Sequence, residues 1–372
     1  IPKVINPSAD QHRPIMCLNT IYKAITALVN TLLIEDIEVQ GIMQLDQRGG
    51  KGGSMGCTDN LLVDKMILED AHNNLKNLSC TWVDIKKAYD SVSHKWLLQS
   101  LEMHGIRPLL IRFIQKIIKT WKVTLEVTTA QGRETTTPID IKRGILQGDS
   151  FSVTLYSMSV NPIGWHIRTS EGYTLTHAPE QKITHSLYVD DLKTYHKSQS
   201  KAAVAATTLK GMFSNIGLEW GLQKCAAIHI KRGNIVHESA LPVGDGNTIE
   251  CLTSDDHYKF LGKCENALQL DTLTGEKAGR DYLRRISIIW SSCLSIPRKI
   301  KATNSFALSS LSYHMWSTNW KIDDLKKLDR ETRKIISTHS GKHTQESNVL
   351  LYAPTHLGGK GLREVDRMYK IT

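Results

Sequence analysis

No apolar run in this 372-residue chain approaches the roughly 20 residues needed to span a bilayer. The opening residues carry no secretory pattern. Together these absences argue against a membrane protein. Cysteine occurs seven times, at Cys17, Cys57, Cys80, Cys225, Cys251, Cys264 and Cys293, and no two are spaced Cys-x-x-Cys. An odd count without that spacing argues against a disulfide framework and a zinc ribbon, and fits a reducing compartment. There is no internal repeat and no low-complexity tract. The chain opens on Ile1 instead of Met, so it reads as a segment of a longer protein.

What is present is ordinary in bulk and uneven in charge. Hydrophobic residues make up 40% and charged residues 23%, as in a globular protein large enough for two or three structural units. The formal net charge is +10, and about eight of those charges fall between Lys263 and the end. An excess of this kind suits a polyanionic partner, nucleic acid or an anionic membrane surface; a solvated basic face is the plainer alternative.

Helical spacing of Ile21, Ala24, Ile25, Leu28 and Leu32 predicts a helix over Asn19–Leu33. Gln47-Arg-Gly-Gly-Lys-Gly-Gly53 then places glycines around two cations. Such a loop can cradle phosphate or admit a nucleic-acid backbone, or be merely flexible. It lacks the Gly-Lys-Ser/Thr ending of an NTPase phosphate loop. Helices are predicted over Thr58–Leu78, Asp90–His104 and Pro108–Lys119, with a buried strand from Cys80 to Ile85. A hairpin is expected around Ala130–Arg133. A helix over Ser150–Arg168 follows the turn Gly144-Ile-Leu-Gln-Gly-Asp149. Lys201–Asn215 reads as a helix capped by Ser200, and Cys225–Ile230 as a strand. Gly233–Asp256 is the expected long loop. The final third is mostly helical, with Arg280–Ser295, Ala302–His314 and Asp323–Ser337 clearest; Trp290, Trp316 and Trp320 read as core.

The chain is organised around Ser186-Leu-Tyr-Val-Asp-Asp-Leu-Lys193. Residues alternate apolar and polar on either side of Asp190 and Asp191, which predicts a hairpin with both carboxylates at its turn. Two like charges at a tight turn repel unless a cation lies beside them, and carboxylate oxygens are the hard ligands Mg²⁺ prefers. Asp-Asp is also a common turn pair with no further role. A third carboxylate, Asp84, ends the buried strand about 106 residues earlier. Three carboxylates gathered at strand ends could hold two divalent ions for an in-line phosphoryl displacement.

The order of these pieces resembles the reverse transcriptases, and among them those of non-LTR, target-primed retrotransposons of the site-specific R2-like kind. Val83-Asp-Ile-Lys-Lys-Ala-Tyr-Asp-Ser-Val92, Gly144–Asp149 and Tyr188-Val-Asp-Asp191 are similar to three catalytic motifs of that family. Gly217-Leu218 with Gln223-Lys-Cys225 resembles the fourth, Phe260-Leu-Gly262 the primer grip, and Leu357–Leu362 the end of the thumb.

The resemblance implies an α+β right-hand polymerase: an antiparallel palm sheet with helices, fingers, and a helical thumb. Residues 1–80 would form fingers, 81–262 palm with an interleaved fingers segment near 105–143, and 263–372 thumb. Asp84, Asp190, Asp191 and the Ile85 carbonyl would hold two Mg²⁺ ions, for which Mn²⁺ can substitute. Tyr89 would be the steric gate against a ribose 2′-OH. Lys3 and Arg13 would reach the incoming triphosphate, Gln147 and Gly148 the nascent base pair and template. Gln47, Arg48 and Lys51 would lie on the template, although Gly50 stands where an aromatic is common. Phe260, Leu261 and Gly262 would touch the primer, and Lys224 would protonate the leaving pyrophosphate.

The implied partners are an RNA template, a DNA primer or target and dNTPs. A nuclear location and an endonuclease outside these residues follow from the same resemblance. An RNA-dependent RNA polymerase, a group II intron or telomerase-type enzyme, and a non-catalytic RNA-binding scaffold are the rivals. The bulk of Tyr89 counts against the first, and the retained carboxylates against the last.

Overall fold

The computed structural model describes residues 16–129, 132–237, 240–266 and 271–371. They form two compact units. One comprises the residues up to Asn60 with Glu69–Leu252; the other comprises Leu61–Leu68 and the residues from Thr253 onward.

The first unit is α+β. Its helices are α1 (Thr20–Val39), α2 (Cys57–Asn73, shared by the division), α3 (His94–Met103), α4 (Pro108–Ile118), α5 (Ser152–Thr169) and α6 (Gln199–Asn215). Its main sheet has seven strands: β1 (Leu78–Val83), β2 (His185–Tyr188), β3 (Asp191–His196), β4 (Ala226–Lys231), β5 (Asn234–Ile235), β6 (Ala240–Pro242) and β7 (Thr248–Cys251). The order is β6-β7-β4-β1-β3-β2, with β5 paired to β4. The expected antiparallel sheet is mixed, because β4 and β7 run parallel. Strand β1 lies between β3 and β4, and every residue of it is buried. Both faces are covered, so even its polar residues Ser79 and Thr81 are buried, Ser79 Oγ lying 2.6 Å from His229 Nδ1.

Two expectations change here. The Gly233–Asp256 stretch is not a plain loop but contributes β5, β6 and β7. Strands of two to four residues are too short to display a period of two. Helix α1 exists but turns a different stripe inward. Thr26, Val29, Leu33, Asp36 and Ile37 are buried, while Ile21 and Leu28 are exposed. Polar partners decide the face: Thr26 Oγ1 donates to Asp149 Oδ1 at 2.5 Å, and Asp36 pairs with Arg107 at 2.6 Å.

Helix α5 runs through Pro162, which has no N–H for the Met158 carbonyl. Ser100 Oγ donates to that carbonyl instead, at 2.6 Å. The neighbouring Ser159 carbonyl accepts from Trp96 Nε1 at 2.9 Å. Helix α3 therefore supplies the donor that Pro162 lacks. Helix α4 shows the plain case, burying Leu110, Ile114 and Ile118 on one stripe after Pro108 at its first turn.

The second unit pairs β8 (His257–Phe260) with β9 (Lys263–Asn266) and continues in helices α7 (Thr272–Ser291), α8 (Ile296–Ala302), α9 (Leu308–Met315), α10 (Ile322–Thr338), α11 (Asn348–Tyr352) and α12 (Val365–Ile371). Its core gathers Tyr282, Ile286, Trp290, Leu311, Leu325 and Ile336. Trp290 is fully buried, and its Nε1 donates to Thr303 Oγ1 at 3.1 Å. Trp320 is half-buried, but Trp316 is exposed and not core. A π-helical turn, Thr303–Ala307, separates α8 from α9.

Candidate active site

Strand β1 ends at Val83, paired with Leu192 of β3. Asp84 is the next residue, so the register carries it toward Asp191. The β2–β3 hairpin closes with Tyr188 opposite Asp191, leaving Val189 and Asp190 as a two-residue turn. The three acidic residues thus meet at one end of the sheet. Burial first, then Asp190, then Asp84, push the Asp191 carboxyl up to about 6. Each cause disfavours charge, and the two neighbours act only because they are near.

Asp84 is held by its backbone. Its carbonyl accepts from Gly221 N–H at 2.8 Å, and its N–H donates to Cys225 Sγ at 3.4 Å. Ile85 bridges Trp220, and Lys86 N–H donates to Glu219 O at 2.8 Å. Gly221 also has a steric duty: a Cβ there would lie 2.5 Å from Asp84 Oδ2. Lys224 Nζ stands 3.8 Å from the same oxygen. A cavity of about 820 Å³ adjoins Asp84, lined among others by Lys86, Lys87, Arg143 and Lys224. Arg143 donates to the carbonyls of Ser91, at 2.7 Å, and Gly217.

The Gly144–Asp149 turn is stitched to the segment after β1. Gly144 N–H donates to Val92 O and Ile145 N–H to Tyr89 O, both at 2.8 Å. Residue 144 must be glycine, since its φ is +93° and a Cβ would meet the Asp90 backbone at 2.9 Å. Gln147 Nε2 donates to Asp90 Oδ1 at 3.0 Å, and Gly148 lies in the left-handed region. Tyr89 is half-buried and stacks on the fully buried Tyr156, with ring centroids 5.0 Å apart and planes at 21°. Burial and the nearby Asp190 push the Tyr89 hydroxyl up to about 12, so it stays protonated.

The other expected residues fall as follows. Lys3 and Arg13 lie outside the described residues. Gln47 does not face outward as a template contact would; it is buried, with its side chain turned to the Val189 backbone. Arg48 and Lys51 are half-exposed on the same loop. Gly50 has φ +68°, and a Cβ there would lie 2.7 Å from Val153 Cγ1, so an aromatic could not occupy this position in this arrangement. In the second unit, Phe260 is buried, while Leu261 and Gly262 form the tip of the β8–β9 hairpin with both φ values positive. That is the signature of a type I′ turn. The Tyr313 hydroxyl donates to Leu261 O.

Sequence reasoning missed Gly221, Arg143 and Tyr156. Arg143 had one signal, its position directly before the Gly-Ile-Leu-Gln-Gly-Asp turn. The ligand atoms of Asp84, Asp190 and Asp191 are not all within 4.8 Å of one another; those of a separate acidic trio, Asp329, Glu364 and Asp366, are, the one such group among the described residues. Its chemistry is capping: Asp329 accepts from the N–H groups of Val365 and Asp366, at 2.9 and 3.1 Å, at the start of α12.

Residues 1–263 match the family model "Reverse transcriptase (RNA-dependent DNA polymerase)". The chain belongs to this family, and its α+β architecture is that of a polymerase.

Among curated proteins it is similar to Pol polyproteins of R2 retrotransposable elements. It is 21% identical to the R2DM protein of Drosophila melanogaster over 97% of this chain and 33% of that protein. It is 26% identical to an R2 protein of Popillia japonica over 80% of this chain and 48% of the relative. For an R2 protein of Nasonia vitripennis the identity is 25%, over 57% of this chain and 20% of the relative. The chain therefore spans between a fifth and a half of the length of these relatives. Among solved structures it is similar to telomerase from Candida albicans, with a TM-score of 0.43, 10% identity, and coverage of 88% of this chain and 57% of that one.

Proposed function

We propose that this chain is the polymerase segment of a target-primed retrotransposon protein, extending a primer 3′-OH with deoxynucleotides on an RNA template. The observation that carries the proposal is the convergence of Asp84, Asp190 and Asp191 at one sheet end, beside a cavity lined by basic side chains. The donor set fits divalent cations: hard carboxylate oxygens at one sheet end, where burial and then the neighbouring Asp190 and Asp84 raise the Asp191 carboxyl to about 6. Two bound Mg²⁺ ions would activate the attacking hydroxyl and neutralise the leaving phosphate. Asp84, Asp190, Asp191 and the Ile85 carbonyl are the groups that would hold them.

The chain's own residues do the positioning. The primer 3′-OH gives up its proton to solvent, its oxygen bonds to the α-phosphorus as the bond to pyrophosphate breaks, and Lys224 donates a proton to the departing group. Lys86, Lys87 and Arg143 hold the phosphates electrostatically. Tyr89, backed by Tyr156, excludes the ribose 2′-OH. Residues 1–80 act as fingers, 81–262 as palm with an interleaved fingers segment near 105–143, and 263–372 as a basic thumb along the duplex phosphates. RNA template and DNA target are the partners, and action is nuclear, with the nick supplied by an endonuclease elsewhere in the polypeptide. Among the described residues no helix is long and apolar enough to cross a membrane.

The test is extension of a DNA primer on an RNA template with and without Mg²⁺. Metal-dependent extension by the wild-type chain, lost in Asp190→Ala while duplex binding at low salt survives, is the expected result. Extension by Asp190→Ala equal to wild type refutes the site.

A further inference from the structure

We propose that Gln47 is a positioning residue for the Val189–Asp190 turn and the Asp191 that follows it, acting on cation affinity and not on the template. The purpose of the turn is taken from the polymerase reading above; the geometry is independent of it.

Val189 is the first residue of the two-residue turn and has φ +58°. A hairpin turn with positive φ at this position is normally given to glycine. For a β-branched residue this conformation is an outlier that persists only where surrounding structure imposes it. The structure supplies what imposes it. Gln47 Oε1 accepts from Val189 N–H at 3.0 Å and from Gly49 N–H at 2.9 Å. One carbonyl oxygen thus ties the glycine loop to the turn, and the side chain is 2% exposed, with no room to swing away.

The backbone around Gln47 is fixed as well. It forms a parallel bridge with Leu187. Leu187 N–H donates to Asp46 O, and Arg48 N–H to Leu187 O, both at 3.0 Å. Asp46 is anchored to α5 by Arg168 at 2.6 Å. Gly49 also packs so closely on Val189 that a Cβ would meet Val189 Cγ2 at 2.5 Å and its backbone nitrogen at 2.8 Å. Residues 46–49 therefore act as a short added edge beside β2 that grips the first residue of the turn. The acidic pair follows directly, so any relaxation at Val189 moves both carboxylates.

Only the acceptor end of Gln47 is used, because its Nε2 has no hydrogen-bond partner among the described residues. Gln47→Met keeps the length and removes the acceptor. Val189→Gly removes the strain that needs holding. The experiment measures Mn²⁺ affinity by electron paramagnetic resonance, RNA–DNA duplex affinity, and kcat and KM for dNTP, in wild type, Gln47→Met, Val189→Gly and the double variant.

Gln47→Met is expected to weaken Mn²⁺ binding at least tenfold and to lower kcat, with dNTP KM and duplex affinity within about threefold of wild type. In the Val189→Gly background the same change is expected to cost less than about threefold. Should Gln47→Met not fold alone, the folded double variant decides, with near wild-type Mn²⁺ affinity as support and lost affinity as refutation. Weakened duplex binding with unchanged Mn²⁺ affinity overturns the inference and returns Gln47 to the template. Unchanged behaviour in every measurement overturns it as well. A wild-type chain that binds Mn²⁺ in a Gln47-dependent way yet never extends a primer sinks the polymerase reading and leaves this inference standing.

Discussion

Gly221 and Asp84 occupy adjoining space that admits no side chain between them: a Cβ on residue 221 would sit 2.5 Å from Asp84 Oδ2. The same glycine donates its N–H to the Asp84 carbonyl at 2.8 Å. The Gly221→Ala variant is therefore expected to displace the carboxylate while the strand behind it stays in place. Misplacement of a reacting group by about 1 Å costs on the order of 10²-fold in rate. Single-turnover primer extension should fall by about that factor, with a thermal midpoint close to wild type. A rate within threefold of wild type removes Gly221 from the site.

Asp191 makes metal binding and stability depend on pH in opposite senses. Its carboxyl is raised to about 6, above the ordinary value near 4. Between these values the folded state holds a proton that the unfolded state has released. Stability from this group is thus present below about pH 4 and is lost as pH rises through 6. Cations need the carboxylate, so Mn²⁺ affinity should weaken by up to about tenfold per pH unit below 6. Mn²⁺ titrations at pH 5, 6 and 7.5 check this; a flat affinity across that range excludes Asp191 as a ligand.

Tyr89 is held in place by its stack on Tyr156, which is fully buried in α5. If the ring blocks the ribose 2′-OH, Tyr89→Ala should raise ribonucleotide use relative to deoxynucleotide by tenfold or more. Competition between dNTP and rNTP in one extension assay measures the ratio. An unchanged ratio means that another group reads the sugar.

In the second unit Trp290 fills the centre of the core, packed against Gly341, with its carbonyl accepting from Lys299 Nζ at 2.8 Å. Trp290→Ala should cost about 3–5 kcal/mol, as expected of a large-to-small change in a packed core. Urea unfolding followed by helical circular dichroism is the measurement. A loss below 1 kcal/mol would place the indole outside the core.

The acidic constellation was legible because it is written locally. An all-buried strand ending in Asp84 and an alternating hairpin around Asp190 and Asp191 both leave a pattern in the residues themselves. The burial of Gln47 is hidden from the sequence for the opposite reason. A polar residue among glycines looks exposed, and only contact with Val189, 142 positions on, buries it. Gly221 gave no sign either, since its constraint comes from a carboxylate far along the chain. The α5 helix was placed correctly across Pro162 because its apolar face continues; that Ser100 supplies the missing donor is a fact of packing. The cap of α6 fell two residues early, on Ser198 and not Ser200, a shift within the ordinary uncertainty of helix ends.

The central position of β1 carries a cost during synthesis. Both neighbours, β3 and β4, lie more than a hundred residues further on. At ordinary translation speeds the strand Leu-Ser-Cys-Thr-Trp-Val leaves the ribosome on the order of ten seconds before either edge can be covered. Throughout that interval an uncharged hexamer carrying Leu78, Cys80, Trp82 and Val83 is open to other chains, so recombinant yield should depend on chaperone supply and temperature more than on the finished protein's stability.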